Sequence, residues 1–175
     1  EFERAPADPV AAMGLEDVPN WVPGRPHAQN IFDGGTIGSY EETFYRYLNA
    51  GLRVPFSTGT DWFAYDLSRV YVQAPGMRTT RDWLAALEQG KSFITNGPLL
   101  EFEVDGSPIG GALRLDKPGK VKVRASARGR IDFGLLEIVR NGEIVAKSES
   151  RKVGTIHAAV FSGELDLSGS AWLAA

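Results

Sequence analysis

The sequence contains no cysteine, and only two of its 175 residues are histidine. Disulfides, thiolate metal sites and cysteine nucleophiles are therefore excluded, and any imidazole chemistry must use His27 or His157. No apolar run approaches the roughly 18 residues that span a bilayer, and no charged-then-apolar leader opens the chain. A soluble, mature protein with no membrane partner is expected. Neither sign of charge dominates, since 19 Lys and Arg stand against 22 Asp and Glu, for a net charge of -3. Nothing draws such a chain as a whole to a polyanion, so no nucleic-acid partner is expected. The absence of cysteine leaves the compartment open between cytoplasm and extracytoplasmic space. There is no initiating Met, and the end falls inside the apolar run Ala171-Trp172-Leu173-Ala174, so the chain reads as a piece of something longer.

What is present is the composition of an ordinary folded protein, 43% hydrophobic and 23% charged with 20 Gly and 10 Pro. It is unevenly spread. Of 18 aromatic residues, 14 fall between Phe2 and Phe93, and the charge changes from -4 over residues 1–97 (12 acids, 8 bases) to +1 over residues 98–175 (10 acids, 11 bases). The turn signal Asn96-Gly97-Pro98 sits at the join. Two regions follow, 1–97 and 98–175.

In the first region, Pro6, Pro9, Pro19, Pro23 and Pro26 break any periodicity, and residues 1–38 read as a long loop. Tyr40, Phe44, Tyr47 and Leu48 then recur at helical spacing, with Ser39 and Glu42 as a capping box and Gly51 as the stop. Strands are predicted at residues 53–58, 70–72 and 91–95, and a second helix over 80–89, capped by Thr79 or Thr80 and stopped by Gly90. This α/β rhythm is that of the closing segments of a βα-barrel, although the region is far short of the roughly 250 residues of a whole one.

After Pro98 the period becomes two. Residues 120–128 alternate Val121, Val123, Ala125 and Ala127 against charged or polar neighbours, and Asn141-Gly142 is a strong hairpin signal. With strands also predicted at 99–104, 112–115, 135–140, 143–148, 155–161 and 171–174, the pattern is that of a small antiparallel β-sandwich. The predicted fold class is α+β: a partial βα-barrel, then the sandwich.

The candidate with the best chemical rationale is Asp61, displayed in Ser57-Thr58-Gly59-Thr60-Asp61 where an apolar strand runs into a Gly turn. Carboxyl ends of strands are where α/β folds place ligands, and a carboxylate there can bind a cation or act as a base. The plainer alternative is that Asp61 caps the following turn. His27, in the long loop, is a candidate ligand or proton shuttle against the plainer reading of a surface histidine. His157 falls in an alternating strand and reads as structural. No Gly-x-Ser-x-Gly elbow presents a serine, and Gly34-Gly35 and Gly110-Gly111 lack the spacing and the Lys of a phosphate-binding loop. The basic set Lys120, Lys122, Arg124, Arg128 and Arg130 has no interleaved aromatics and reads as a solvated strand face. With two distant histidines and no His-x-His, the chain alone falls short of the three protein ligands of a catalytic zinc.

Five pieces in order carry a resemblance: Tyr47-Leu48-Asn49-Ala50-Gly51-Leu52-Arg53, then Ser57-Thr58-Gly59-Thr60-Asp61, then Arg69-Val70-Tyr71-Val72, then residues 83–90, then Phe93-Ile94-Thr95-Asn96-Gly97-Pro98-Leu99-Leu100. Over residues 40–110 the chain resembles the C-terminal part of the CehA/McbA-like metallohydrolases, a branch of the PHP (polymerase and histidinol phosphatase) superfamily. The resemblance implies a distorted βα-barrel with a bi- or trinuclear centre of divalent metal (Zn, Mn or Fe) that activates water against phosphoester, ester or amide bonds of a small-molecule substrate. It implies that Asp61 is a metal ligand, that Arg69 and Tyr71 lie near the barrel mouth in an anion-binding position, and that Asn96 opens a structural corner. Thr60 and His27 join Arg69 and Tyr71 as substrate-binding candidates. The family's opening His-x-His and middle ligands are absent, and Trp62-Phe63 stand where a His often follows the late Asp. The expectation is therefore a hydrolase fragment, inactive by itself. The rival is a non-catalytic module for a glycan or protein, motivated by the aromatic supply of Trp21, Trp62, Phe63 and Tyr65. Exposed strand edges make a homodimer the expected assembly.

Overall fold

The computed structural model describes residues 29–33, 41–59 and 68–175. Half of these lie in β-strands, arranged mainly in antiparallel sheets, with few helices. Among the described residues no helix is long and apolar enough to cross a membrane.

The first element corrects the sequence reading. Residues 29–33, expected as loop, form strand β1 (Gln29–Asp33), which pairs in parallel with β2 (Phe56–Gly59). Parallel neighbours need a crossover. Helix α1 (Glu41–Asn49) lies within it. Of the expected helical face Tyr40 lies outside the described residues and the rest holds: Phe44 and Tyr47 are buried together with Val54, Leu48, Phe56 and Ile94 pack around them, and the Phe44 and Phe56 rings meet edge to face at 5.1 Å. Gly51 ends the helix at φ 79°, where Gly51 N–H donates to Leu48 C=O and Leu52 N–H to Tyr47 C=O. The expected cap residue Ser39 lies outside the described residues.

Strand β3 (Arg69–Val72) pairs antiparallel with β4 (Ser92–Thr95), and helix α2 (Thr80–Glu88) connects them. Thr79 is the N-cap, and a full capping box forms with Asp82. The Asp82 carboxylate accepts from Arg78 N–H, the Thr79 hydroxyl and Thr79 N–H, and these bonds hold its pKa below the usual 3.8. A carboxylate whose pKa falls on folding contributes stability above its unfolded pKa and loses it as pH falls through the folded value. The advantage of the parent over Asp82→Asn in thermal melts is expected to be present at neutral pH, to shrink below about pH 4 and to vanish in stronger acid. A pH-independent difference would place the contribution elsewhere.

From Leu99 onward, eight strands form two antiparallel sheets. The larger, in the order β10-β11-β7-β5-β6, contains β5 (Leu99–Val104), β6 (Ser107–Pro108), β7 (Gly119–Gly129), β10 (Arg151–Val153) and β11 (Ile156–Leu167). The smaller, β12-β8-β9, contains β8 (Leu135–Arg140), β9 (Glu143–Glu149) and β12 (Leu173–Ala174). Their inner faces share one core, in which Val121, Val123, Ala125, Ala127 and Ala159 of the larger sheet meet Leu136 and Ile138 of the smaller. The alternation read from residues 120–128 is the reason: every second residue of β7 is buried. Asn141 (φ 52°) and Gly142 (φ 90°) make the expected hairpin turn between β8 and β9. The strand expected over 171–174 is confined to Leu173–Ala174, the short β6 and β10 were not expected, and two larger differences stand beside these. Residues 112–115 form no strand, because they follow the tight turn at Gly110-Gly111 and leave Leu113 and Leu115 exposed. The strand expected over 155–161 starts at Ile156 and runs on to Leu167, because β7 offers a partner along its whole length.

The helical half is fastened to the sheets at two places. Trp172 packs on Tyr45 (4.8 Å between ring centroids) and its indole N–H donates to Asn49 Oδ1 at 2.7 Å, while its backbone exchanges bonds with Asn141. On another side, Arg53 Nη2 donates to Gly110 C=O at 2.9 Å.

Candidate functional site

The carboxyl ends of β1 and β2 lie side by side, with Asp33 in register with Gly59. Gly59 is two residues short of Asp61, so an acidic position that the sequence reading passed over as loop ends the strand next to the one leading to Asp61. Asp61, Thr60 and His27 themselves lie outside the described residues, as do Trp21, Trp62, Phe63 and Tyr65.

Below this end, the Thr58 and Ser68 hydroxyls share a hydrogen bond of 2.7 Å that ties β2 to the start of β3. Ser68 is buried, and its carbonyl accepts from Arg69 Nη1 at 2.7 Å. Alternation along β3 then sorts the two substrate candidates. Arg69 and Tyr71 share one face, and the register puts Thr95 and Phe93 beside them. The opposite face turns Ile94 onto the Phe44 and Tyr47 cluster. Tyr71 is 45% exposed and stacks flat on Phe93, with centroids 5.3 Å apart and planes 12° apart. The result is an aromatic step on the strand face that also carries Arg69, whose guanidinium is turned to the Ser68 carbonyl, and the step is able to receive the flat face of a ring. Thr95 does not line this step as a free hydroxyl. It accepts from Gly97 N–H and donates to Pro98 C=O, building the Asn96-Gly97-Pro98 corner.

A second polar cluster closes one end of the two sheets. Asp132 is held below the usual carboxylate range chiefly by Gly134 N–H at 2.9 Å, and His157 Nδ1 stands 3.7 Å from Asp132 Oδ1. The buried Ser150 hydroxyl leans on the same carboxylate without reaching hydrogen-bond geometry, and it makes no bond to His157. Serine, histidine and aspartate are thus together, but in the wrong order for nucleophilic catalysis, which needs the imidazole on the hydroxyl. The cluster pins the 130–134 loop, consistent with a structural His157. The basic strand face of β7 is met by acids: Lys120 by Glu164, Arg124 by Glu103 and Arg128 by Glu101.

No family model matches this chain, and neither a curated protein nor a solved structure matches it. Its chemistry rests on the geometry. Among the described residues no three His, Asp or Glu side chains converge as a metal-binding group. Carboxylates such as Asp33 and Asp61 suit a divalent cation by type, yet two donors fall short of the three protein ligands of a catalytic centre. Sequence reasoning missed Asp33 because a five-residue strand beside proline-rich sequence carries little periodic signal. It missed Phe93 because a stacking partner depends on register; the β-propensity of residues 91–95 was the available hint.

Proposed function

We propose that this chain is the closing part of a PHP-type metal-dependent hydrolase, a partial βα-barrel followed by a β-sandwich. The observation that carries the proposal is the parallel pair β1 and β2, whose register sets Asp33 against Gly59, just ahead of Asp61. It supports a carboxylate cluster at the end of a βα unit where such folds hold ions and ligands. A Zn, Mn or Fe ion bound there supplies water activation for cleavage of a phosphoester, ester or amide bond. In this reading Arg69 and the Tyr71 and Phe93 step receive an anionic small-molecule substrate, with Thr60 and His27 as further contacts. The remaining ligands come from sequence outside this chain, which by itself is inactive.

Elemental analysis tests this reading on the present chain and on one extended upstream by the missing strands. Near-stoichiometric metal is expected in the extended protein, with loss in both Asp61→Ala and Asp33→Ala, and neither metal nor ester or phosphodiester turnover in the present chain. Metal-dependent turnover by the present chain would overturn its inactivity. No metal at either length would favour the second reading, a non-catalytic module for a glycan or protein partner. The stack of exposed Tyr71 on half-buried Phe93 is the observation on that side.

A further inference from the structure

The strand edges of the two-sheet half are unequally protected. Strand β6 is two residues long and ends in Pro108, and β10 has three residues. On β9 a register shift leaves Val145 bulged, with Lys147 paired to Glu137 beside it. Short strands, proline, bulges and lysines all discourage edge pairing. Strand β11 has none of these. Its register with β7 is unbroken from His157 to Leu167, while on its other side β10 pairs only with residues 156–158. Among the described residues, 159–167 therefore present a nine-residue open edge. It borders a groove of about 690 Å³ lined by Lys147, Ser148, Arg151, Val153 and Val160.

Which backbone groups face outward can be worked out. Both Lys122 N–H and C=O bind Asp105 on the β5 side, so the even residues of β7 face β5 and its odd residues face β11. The odd residues of β11 answer them. Val160, Ser162, Glu164 and Asp166 are left with N–H and C=O pointing into the open side, and the carbonyl of Asp166 does accept from Arg140 Nη1, which does not belong to β7.

We propose that this edge pairs with the same edge of a second copy, antiparallel about a twofold axis at Gly163. Only a register centred on Gly163 uses the whole open stretch. It sets Ala159 opposite Leu167, Val160 opposite Asp166, Phe161 opposite Leu165 and Ser162 opposite Glu164, so that even residues meet even residues as the hydrogen-bonded pairs require. On the inner face each Phe161 gains a Leu165 neighbour, extending the core across the axis. On the outer face no two carboxylates stand directly opposite, and Glu164 is balanced by Lys120 of its own sheet at 3.7 Å. A register centred one residue later would oppose Glu164 to itself. Val160, 67% exposed, is covered in the pair. The Asp166 carbonyl keeps a second lone pair for the new strand beside Arg140. This assembly stands independently of what the helical half does.

Sedimentation from micromolar to millimolar concentration tests it on the present chain, read together with amide hydrogen exchange. The expected result is a mass that rises to that of a dimer, with the Ser162 and Glu164 amides becoming protected over the same range. Ser162→Glu, which sets a carboxylate opposite Glu164 of the other copy at both symmetry-related positions, is expected to weaken association about tenfold, and Ser162→Lys to preserve or tighten it. Ser162 is on the polar outer face opposite Arg124 of its own sheet, so a thermal melt of each variant separates any change in folding from the change in association. A monomer mass at every concentration would overturn the proposal. So would a dimer that Ser162→Glu and Ser162→Lys affect equally, or one in which those amides exchange freely.

Discussion

Gly110→Ala is expected to cost roughly 3 kcal/mol of folding stability, from a left-handed backbone and a backbone overlap acting together. Gly110 sits at φ 78°, and a Cβ there would lie 2.6 Å from the carbonyl oxygen of Gly90 and 2.8 Å from the nitrogen of Lys91. Neither atom can move aside cheaply. Gly90 is the residue that ends α2, at φ 69°, and the turn is held by Gly90 N–H on Leu87 C=O and Lys91 N–H on Ala86 C=O. A shift of Gly110 would also pull its carbonyl from Arg53. Gly154 provides the control, with φ 62° and nothing within 4 Å of a Cβ, so Gly154→Ala carries the conformational cost alone, about 1 kcal/mol. Urea denaturation of the two variants separates the terms. Equal midpoints would show that the contact between the two glycine turns does not constrain the fold.

That contact also shows which parts of the fold could be read from the sequence. Gly90 was legible as a helix stop and Gly110-Gly111 as a turn, because each is a local event. Their meeting was not, since two turns 20 residues apart in sequence touch only in the folded chain. The same division runs through the molecule. The alternation of β7, the Asn141-Gly142 hairpin and the amphipathic face of α1 depend on neighbouring residues, and all three stand in the structure. Strand β1 depends on a parallel partner 27 positions away, with Gln29 against Phe56, and its own five residues give almost no pattern. Residues 112–115 had the composition of a strand but found no partner. The candidate site follows the same rule. Asp61 was a candidate from residue type at a strand end and Arg69 and Tyr71 from resemblance alone, whereas Asp33 and Phe93 entered only through register with β2 and β3.

Ile138→Ala is expected to cost about 3 kcal/mol, the cavity-forming loss of a buried aliphatic side chain. Ile138 is 0% exposed and lies where the inner faces of the two sheets meet, among Val121, Val123 and Leu136. Ile138→Val, which removes one methylene, is expected to cost about 1 kcal/mol. The larger loss also tests how the halves are coupled. The apolar cluster around Ile138 and the one around Phe44 and Tyr47 share no residue, so each could melt alone. Two fastenings oppose this: Trp172, Asn49, Asn141 and Tyr45 on one side, and Arg53 with the paired glycine turns on the other. The main chain also crosses between the halves at the corner built by Thr95. If the fastenings are strong enough, Ile138→Ala moves one shared transition. Amide hydrogen exchange of the α1 and α2 amides and of the β7 and β8 amides is then expected to report the same lower urea midpoint. A shift in the β7 and β8 amides with the helical amides left in place would mean that the sheets unfold without the helices. The parallel strand ends at Asp33 and Gly59 would then owe their geometry to the Phe44 and Tyr47 cluster alone.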